Sequence, residues 1–124
     1  MSLLFVYGTL KCGYRNHHLL GDSVLVSEVC TKERFRMLDM QDFPGVVMSD
    51  PISRISGELF NVDGETLDVI DDLEGKWFFR EEVLLENGSK AGMYFLSPDV
   101  QYERYSVIES GSWANNDENG GGCK

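Results

Sequence analysis

Leu3-Leu4-Phe5-Val6-Tyr7-Gly8-Thr9-Leu10-Lys11 sets an apolar run directly against a Gly-Thr corner. The run reads as a buried strand, and the corner as the turn that ends it, because glycine reaches backbone angles closed to other residues and carries no Cβ to hold a ligand away. The main-chain N–H groups of Gly8, Thr9 and Leu10 then form a cradle for an anion or a developing oxyanion, with Tyr7 as a pocket wall. Taken alone, the same stretch is equally an ordinary strand-to-loop turn, and the rest of the chain decides between the two.

Working outward, Gly13 to Leu20 reads as a short helical turn that Asn16 can cap and that docks through Leu19 and Leu20. Val24 to Cys30 and Phe35 to Leu38 read as two strands separated by charged residues. Phe43-Pro44-Gly45 turns into a short strand at Val46-Val47. Ile55 to Val62 alternates apolar and polar residues, with Gly57 inside it marking a bulge or a close backbone approach. Asp63-Gly64-Glu65-Thr66 opens the one real helix, Glu65 to about Leu73, with an acidic first turn that suits the helix dipole. Phe78 to Leu85 and Ala91 to Leu96 flank Asn87-Gly88, a hairpin signal. About six to seven short strands and a single main helix define an α+β fold, a small curled mixed β-barrel. Residues 1–113 form the one domain, and residues 114–124, polar and Gly-rich after Trp113, form a loose tail.

A chain of 124 residues holds one core, and 42% hydrophobic against 26% charged residues is a globular balance. The 11 Lys and Arg against 21 Asp and Glu give a net charge of −10, the wrong sign for phosphate backbones or anionic lipid, so neither nucleic acid nor membrane is expected as a partner. The same field favours substrates with a cationic end over acidic ones. No segment approaches the ~20 apolar residues of a membrane helix. Cys12, Cys30 and Cys123 show no metal-ligand spacing and no disulfide framework, which fits a cytoplasmic protein without a metal.

On the helix, Leu67, Ile70, Asp71 and Glu74 stand at i, i+3, i+4 and i+7, so Glu74 shares a stripe with core aliphatics while Asp68 and Asp72 point away. A carboxylate held against apolar side chains has its pKa raised by desolvation, toward the range where a general acid or base works near neutrality. The plain alternative is that Glu74 sits at a frayed helix end before Gly75 and reaches water. His17 and His18 are adjacent and cannot chelate as an i, i+4 pair, so capping or surface roles are expected of them. Cys12 lies beside Lys11, but no base is evident to activate its thiol. Trp77-Phe78-Phe79 reads as core.

The opening FVYGTLK, the G-E-L-F strand at Gly57–Phe60, the block Leu67–Gly75, the hairpin ending at Met93-Tyr94 and the closing Ile108–Trp113 together resemble the γ-glutamylcyclotransferase-like family, in particular its AIG2-like and γ-glutamylamine cyclotransferase branch. The resemblance implies a cofactor-independent enzyme that cleaves a small γ-glutamyl amide. The substrate's own α-amino group attacks its γ-carbonyl, releasing 5-oxoproline and an amine. It makes Glu74 the catalytic acid/base and Tyr7, Gly8, Thr9, Leu10 and Tyr94 the substrate-binding residues, with Leu96 as the other position at which the hairpin aromatic aligns. The chain departs from the family after Glu74: Gly75-Lys76-Trp77-Phe78-Phe79-Arg80 replaces a Pro followed by Tyr-x-Arg, so Phe78 stands where a hydroxyl is usual. A non-catalytic small-ligand module on the same fold is the alternative that this departure supports. The sequence leaves the oligomeric state and the preferred leaving amine open.

Overall fold

The structure, a computed structural model, describes residues 1–113. Its frame is a seven-stranded sheet of β1 (Ser2–Val6), β2 (Val24–Asp39), β3 (Pro44–Val47), β4 (Ser53–Val62), β5 (Phe78–Leu84), β6 (Lys90–Leu96) and β7 (Ser106–Val107), with one α-helix, α1 (Gly64–Glu74). The strand order is β3-β2-β4-β1-β6-β5, with β7 on β2. Every pairing is antiparallel except β1 with β6, which is parallel. The α+β class and the strand number agree with the sequence expectation. The sheet curls without closing into a laddered barrel: its β2 and β5 sides meet through the isolated bridge Thr31↔Leu85 and the bond from Glu86 N–H to the Cys30 carbonyl, 3.0 Å.

The strand β1 explains its own sequence. It lies between β4 and β6, so both of its faces are covered. Phe5 and Tyr7 enter one core with Phe35, Ile55 and Phe95, while Leu4 and Val6 enter a second core with Phe60, Val62 and Ile70 under α1. A strand buried on both faces must be continuously apolar, which is what residues 3–7 show.

The two strands expected at Val24–Cys30 and Phe35–Leu38 are one 16-residue strand. Its register against β4 shifts between Cys30 and Arg34, where the fully buried Thr31 holds the irregularity. The Thr31 hydroxyl donates to the Glu33 carbonyl at 2.7 Å, and its oxygen accepts from Ile55 N–H at 2.9 Å, so Lys32 and Glu33 stay in solvent while the strand continues. Gly57 is the close approach its position suggested, since a Cβ there would collide with the Val6 carbonyl and the Phe5 ring.

Helix α1 starts where Asp63, in extended conformation, accepts from Thr66 N–H at 2.7 Å. It stops at Gly75, whose φ of +59° favours glycine and whose N–H bonds back to the Asp71 carbonyl. Ile70 anchors it to the second core. The hairpin β5–β6 turns at Asn87-Gly88 as expected, with Gly88 at φ +89° and Ser89 N–H donating to Asn87 Oδ1 at 2.9 Å. The expected tail, residues 114–124, lies outside the described residues.

Trp113 is 4% exposed, its ring tilted against Tyr14 at 5.4 Å and its carbonyl accepting from Lys11 Nζ at 2.7 Å. Replacing it by Ala is expected to cost about 3–5 kcal/mol through cavity formation. Trp77→Ala, at a residue 53% exposed, is expected to cost less than about 1 kcal/mol. Chemical denaturation of the two variants checks the contrast, and equal losses would show that Trp113 does not anchor the domain.

Candidate active site

A cavity of about 550 Å³ opens where the end of β1 meets the end of α1. The turn after β1 contributes Tyr7, Gly8, Thr9 and Leu10, the helix end contributes Glu74, and β6 contributes Tyr94, so all six residues singled out from the sequence face one space.

The turn is held from behind. Its three carbonyls are all engaged: Gly8 by Lys11 N–H at 3.1 Å, Thr9 by Asn16 N–H at 3.0 Å, and Leu10 by His17 Nδ1–H at 3.0 Å. Among the described residues, the N–H groups of Gly8, Thr9 and Leu10 donate to no loop carbonyl or side chain. Asn16 does not cap the following 3-10 turn (His17–Leu20). Its amide instead donates to Thr9 Oγ1 at 2.9 Å and fixes that side chain. Gly8 is needed for space and not for a left-handed backbone, since its φ is not positive and a Cβ would lie 2.9 Å from Cγ and Cδ of Pro44.

Glu74 is half-buried on the last turn of α1, and among the described residues its carboxylate joins no hydrogen bond or ion pair. Burial, and secondarily the negative charge of Asp71 one turn earlier, push its pKa up to about 7. Asp71 goes the other way. Burial works to raise its pKa, but hydrogen bonds from Arg80 and Tyr94 outweigh burial and hold it below the usual carboxylate range. Arg80 grips it in two-point fashion, Nε to Oδ1 and Nη2 to Oδ2, each 3.0 Å, and the Tyr94 hydroxyl donates to Oδ1 at 2.5 Å. The Tyr7 hydroxyl donates in turn to the Tyr94 carbonyl at 2.8 Å. Both phenols are pushed up in pKa, first by burial. The charge on Glu74 adds to this for Tyr7, whereas for Tyr94 the bond to Asp71 comes before it. The result is two carboxylates a helical turn apart, one fixed as an anion and one poised to exchange a proton near neutrality.

Among the lining residues that the sequence reading did not single out for the site, three stand out for their chemistry. Arg15 supplies a cation at the cavity. Trp77, expected in the core, is exposed and lines the cavity instead; Phe78 lines the cavity while packing against the second core and the cluster of Leu38 and Leu96; Phe79 packs against the main core, stacked on Phe95 at 5.9 Å. Phe78 meets Phe43 edge-on at 6.0 Å, an apolar contact between two residues that line the cavity. Cys12 is buried with Sγ 3.7 Å from His17 Nε2, and neither residue lines the cavity, nor does His18, whose Nδ1 bonds the Arg15 carbonyl at 3.0 Å. Among the described residues no helix is long and apolar enough to cross a membrane.

A curled α+β sheet that sets a helix-borne carboxyl of raised pKa beside a main-chain turn defines the class of protein. The chain belongs to the gamma-glutamyl cyclotransferase, AIG2-like family, whose profile matches residues 4–115. A provisionally named gamma-glutamylcyclotransferase of Methanocaldococcus jannaschii is 38% identical over 120 residues, covering 91% of this chain and 96% of its own. Gamma-glutamylaminecyclotransferase A of Danio rerio is 35% identical over 80 residues, 57% of this chain and 49% of its own. The crystal structure of an AIG2-like protein of Mus musculus superposes with a TM-score of 0.77 at 25% identity, covering 89% of this chain and 87% of the other.

Because the folded pKa of Glu74, about 7, lies above the unfolded value of 4.5, its protonated form favours the folded state. That stabilisation is complete below about pH 4.5 and is lost as pH rises through 7. Glu74→Gln, which cannot ionise, is therefore expected to match the parent in melting temperature at pH 4 and to exceed it at pH 8, as scanning calorimetry across that window reads out; an unchanged gap would place Glu74 in water. Gly8→Ala is expected to force the turn off Pro44 at a cost on the order of 1–3 kcal/mol, seen as a lowered melting temperature. A parent-like melting temperature would remove the constraint.

Proposed function

We propose that the protein cleaves γ-glutamyl amides by intramolecular cyclisation. The observation that carries this is Glu74: a proton-exchanging carboxyl with a pKa of about 7, in the same cavity as the main-chain turn. Family membership supports the same reading. In the reaction the substrate's α-nitrogen attacks its own γ-carbonyl carbon, a C–N bond closes the five-membered ring, and the C–N bond to the departing amine breaks. Glu74 in its anionic form takes a proton from the α-ammonium group so that the nitrogen can attack, then hands it to the leaving nitrogen. The second proton that the α-nitrogen loses ends on the same amine, which departs as an ammonium ion. No water is consumed, and no oxidation state changes.

The remaining groups share the binding work. The N–H groups of Gly8, Thr9 and Leu10 hold the developing oxyanion or the substrate carboxylate, for which Arg15 supplies the complementary charge. Tyr7 and Tyr94 form the wall beside Glu74 and, with raised pKa values, keep the protons they give to the Tyr94 carbonyl and to Asp71, so they shape the pocket. Ring closure brings its own effective concentration, so positioning and proton transfer are what the protein has to supply. The Danio rerio relative, named for γ-glutamylamines, supports an amine as leaving group.

The test is release of 5-oxoproline from a panel of γ-glutamyl amines and γ-glutamyl dipeptides, followed by chromatography. Turnover is expected for at least one of them, with kcat/KM rising as pH passes through about 7 and Glu74 ionises. Glu74→Gln is expected to lower kcat by about 10²–10⁴-fold. Binding of the same compounds without any 5-oxoproline would assign the chain to the non-catalytic alternative, for which the loss of a hydroxyl at Phe78 would then account.

A further inference from the structure

The lining that Glu74 shares its cavity with is largely apolar. Leu73 and Trp77, 46% and 53% exposed, line it together with Phe43, Phe78 and Tyr105. Large apolar side chains this open to water next to a reactive carboxyl are a cost unless something covers them. The charges at the cavity are few. Among the described lining residues Glu74 is the one carboxylate and Arg15 the one cation. Lys76, exposed, is the sequence neighbour of Trp77. The acidic residues that make the net charge −10 include Asp68 and Asp72 on the exposed side of α1, and neither lines the cavity.

We propose that the departing amine carries a neutral apolar or aromatic substituent, which seats against Leu73, Trp77 and Phe43. The inference rests on the cyclotransferase reading and names the substrate class for it. Because Glu74 hands its proton to the leaving nitrogen, the group attached to that nitrogen lies in the cavity that Glu74 shares with Leu73, its chain neighbour, and Trp77, three residues further on. An ammonium placed there meets no second carboxylate on the lining, has Arg15 within the same cavity, and loses hydration. A neutral ring or alkyl chain instead covers two exposed apolar residues and gains with each methylene buried. The local lining therefore overrides the net field, which by itself favours a cationic leaving group.

The experiment compares γ-glutamyl benzylamide, γ-glutamyl methylamide, ε-(γ-glutamyl)lysine and γ-glutamylglutamate with the full chain, measuring 5-oxoproline. Benzylamide is expected to exceed both charged substrates in kcat/KM by about 10-fold or more, mostly through KM, as burial of a ring in an apolar pocket predicts. In Trp77→Ala the benzylamide-to-methylamide ratio is expected to collapse toward one, and in Trp77→Phe to be largely restored. A preference for the lysine compound, with or without dependence on Trp77, overturns the inference and leaves cyclotransferase activity standing, as does equal turnover of all four. No 5-oxoproline from any of them overturns the cyclotransferase reading, and the inference with it.

Discussion

The contact on which the site depends is the carboxylate of Asp71. It joins three elements: it sits on α1, Arg80 reaches it from β5, and Tyr94 from β6. Tyr7, at the end of β1, is tied to the same junction through the Tyr94 carbonyl. Both members of the ion pair are more than a third exposed, so salt and water screen it and its direct contribution to stability is small. Its consequence is geometric. The apolar anchors of α1 are Ile70 and the partly buried Leu67, one turn apart and both before its last turn, so the direction of that last turn needs a further constraint. A planar two-point grip plus a charge-assisted bond from a neutral phenol supplies it, and with it the direction in which Glu74, one turn further on, faces the cavity.

The junction also sorts the two carboxyl groups by charge. Asp71 has donors on both oxygens and stays ionised; Glu74 has burial and a neighbouring anion, and is held near neutrality. Had the donors been placed on Glu74, the same helix would carry two permanent anions and no proton carrier. The difference between the two residues lies in which one β5 and β6 can reach, because Arg80 and Tyr94 face each other across the hairpin register. A single cross-strand pair thus decides which carboxyl can do acid/base work.

Much of this was legible in the chain itself. The run at residues 3–7 is continuously apolar because β1 is covered on both faces, and Glu74 stands out because a carboxylate at that spacing shares a stripe with Ile70. Residues 24–39 misread as two strands because Thr31, whose hydroxyl replaces a ladder partner, looks in sequence like one more polar residue between charged neighbours. The aromatic triplet was unreadable in another way. A run of three large apolar residues says that burial is wanted, not on which side, and only the tight end of α1 at Gly75 and the pairing of Phe79 with Phe95 turn Phe78 and Trp77 toward the cavity. Arg15 lies in a loop with no periodicity to reveal its direction.

The burial that raises the pKa of Glu74 also weakens the fold. Ionising Glu74 against the hydrocarbon of α1 and the two buried phenols is unfavourable in the folded chain and costless in the unfolded one, so the pH range in which the carboxylate accepts a proton is the range in which the domain is weakest. The arrangement survives because that cost is confined to the open end of the helix. Asp63 and Thr66 secure its start, Ile70 its middle and Asp71 its last turn, so the strain of a desolvated charge acts on a segment already held at three points. The exposed Leu73 and Trp77 follow from the same placement. A carboxyl that is half-buried yet dry enough to have a raised pKa requires apolar neighbours, and Leu73 and Trp77, on the same cavity lining, are exposed for that reason.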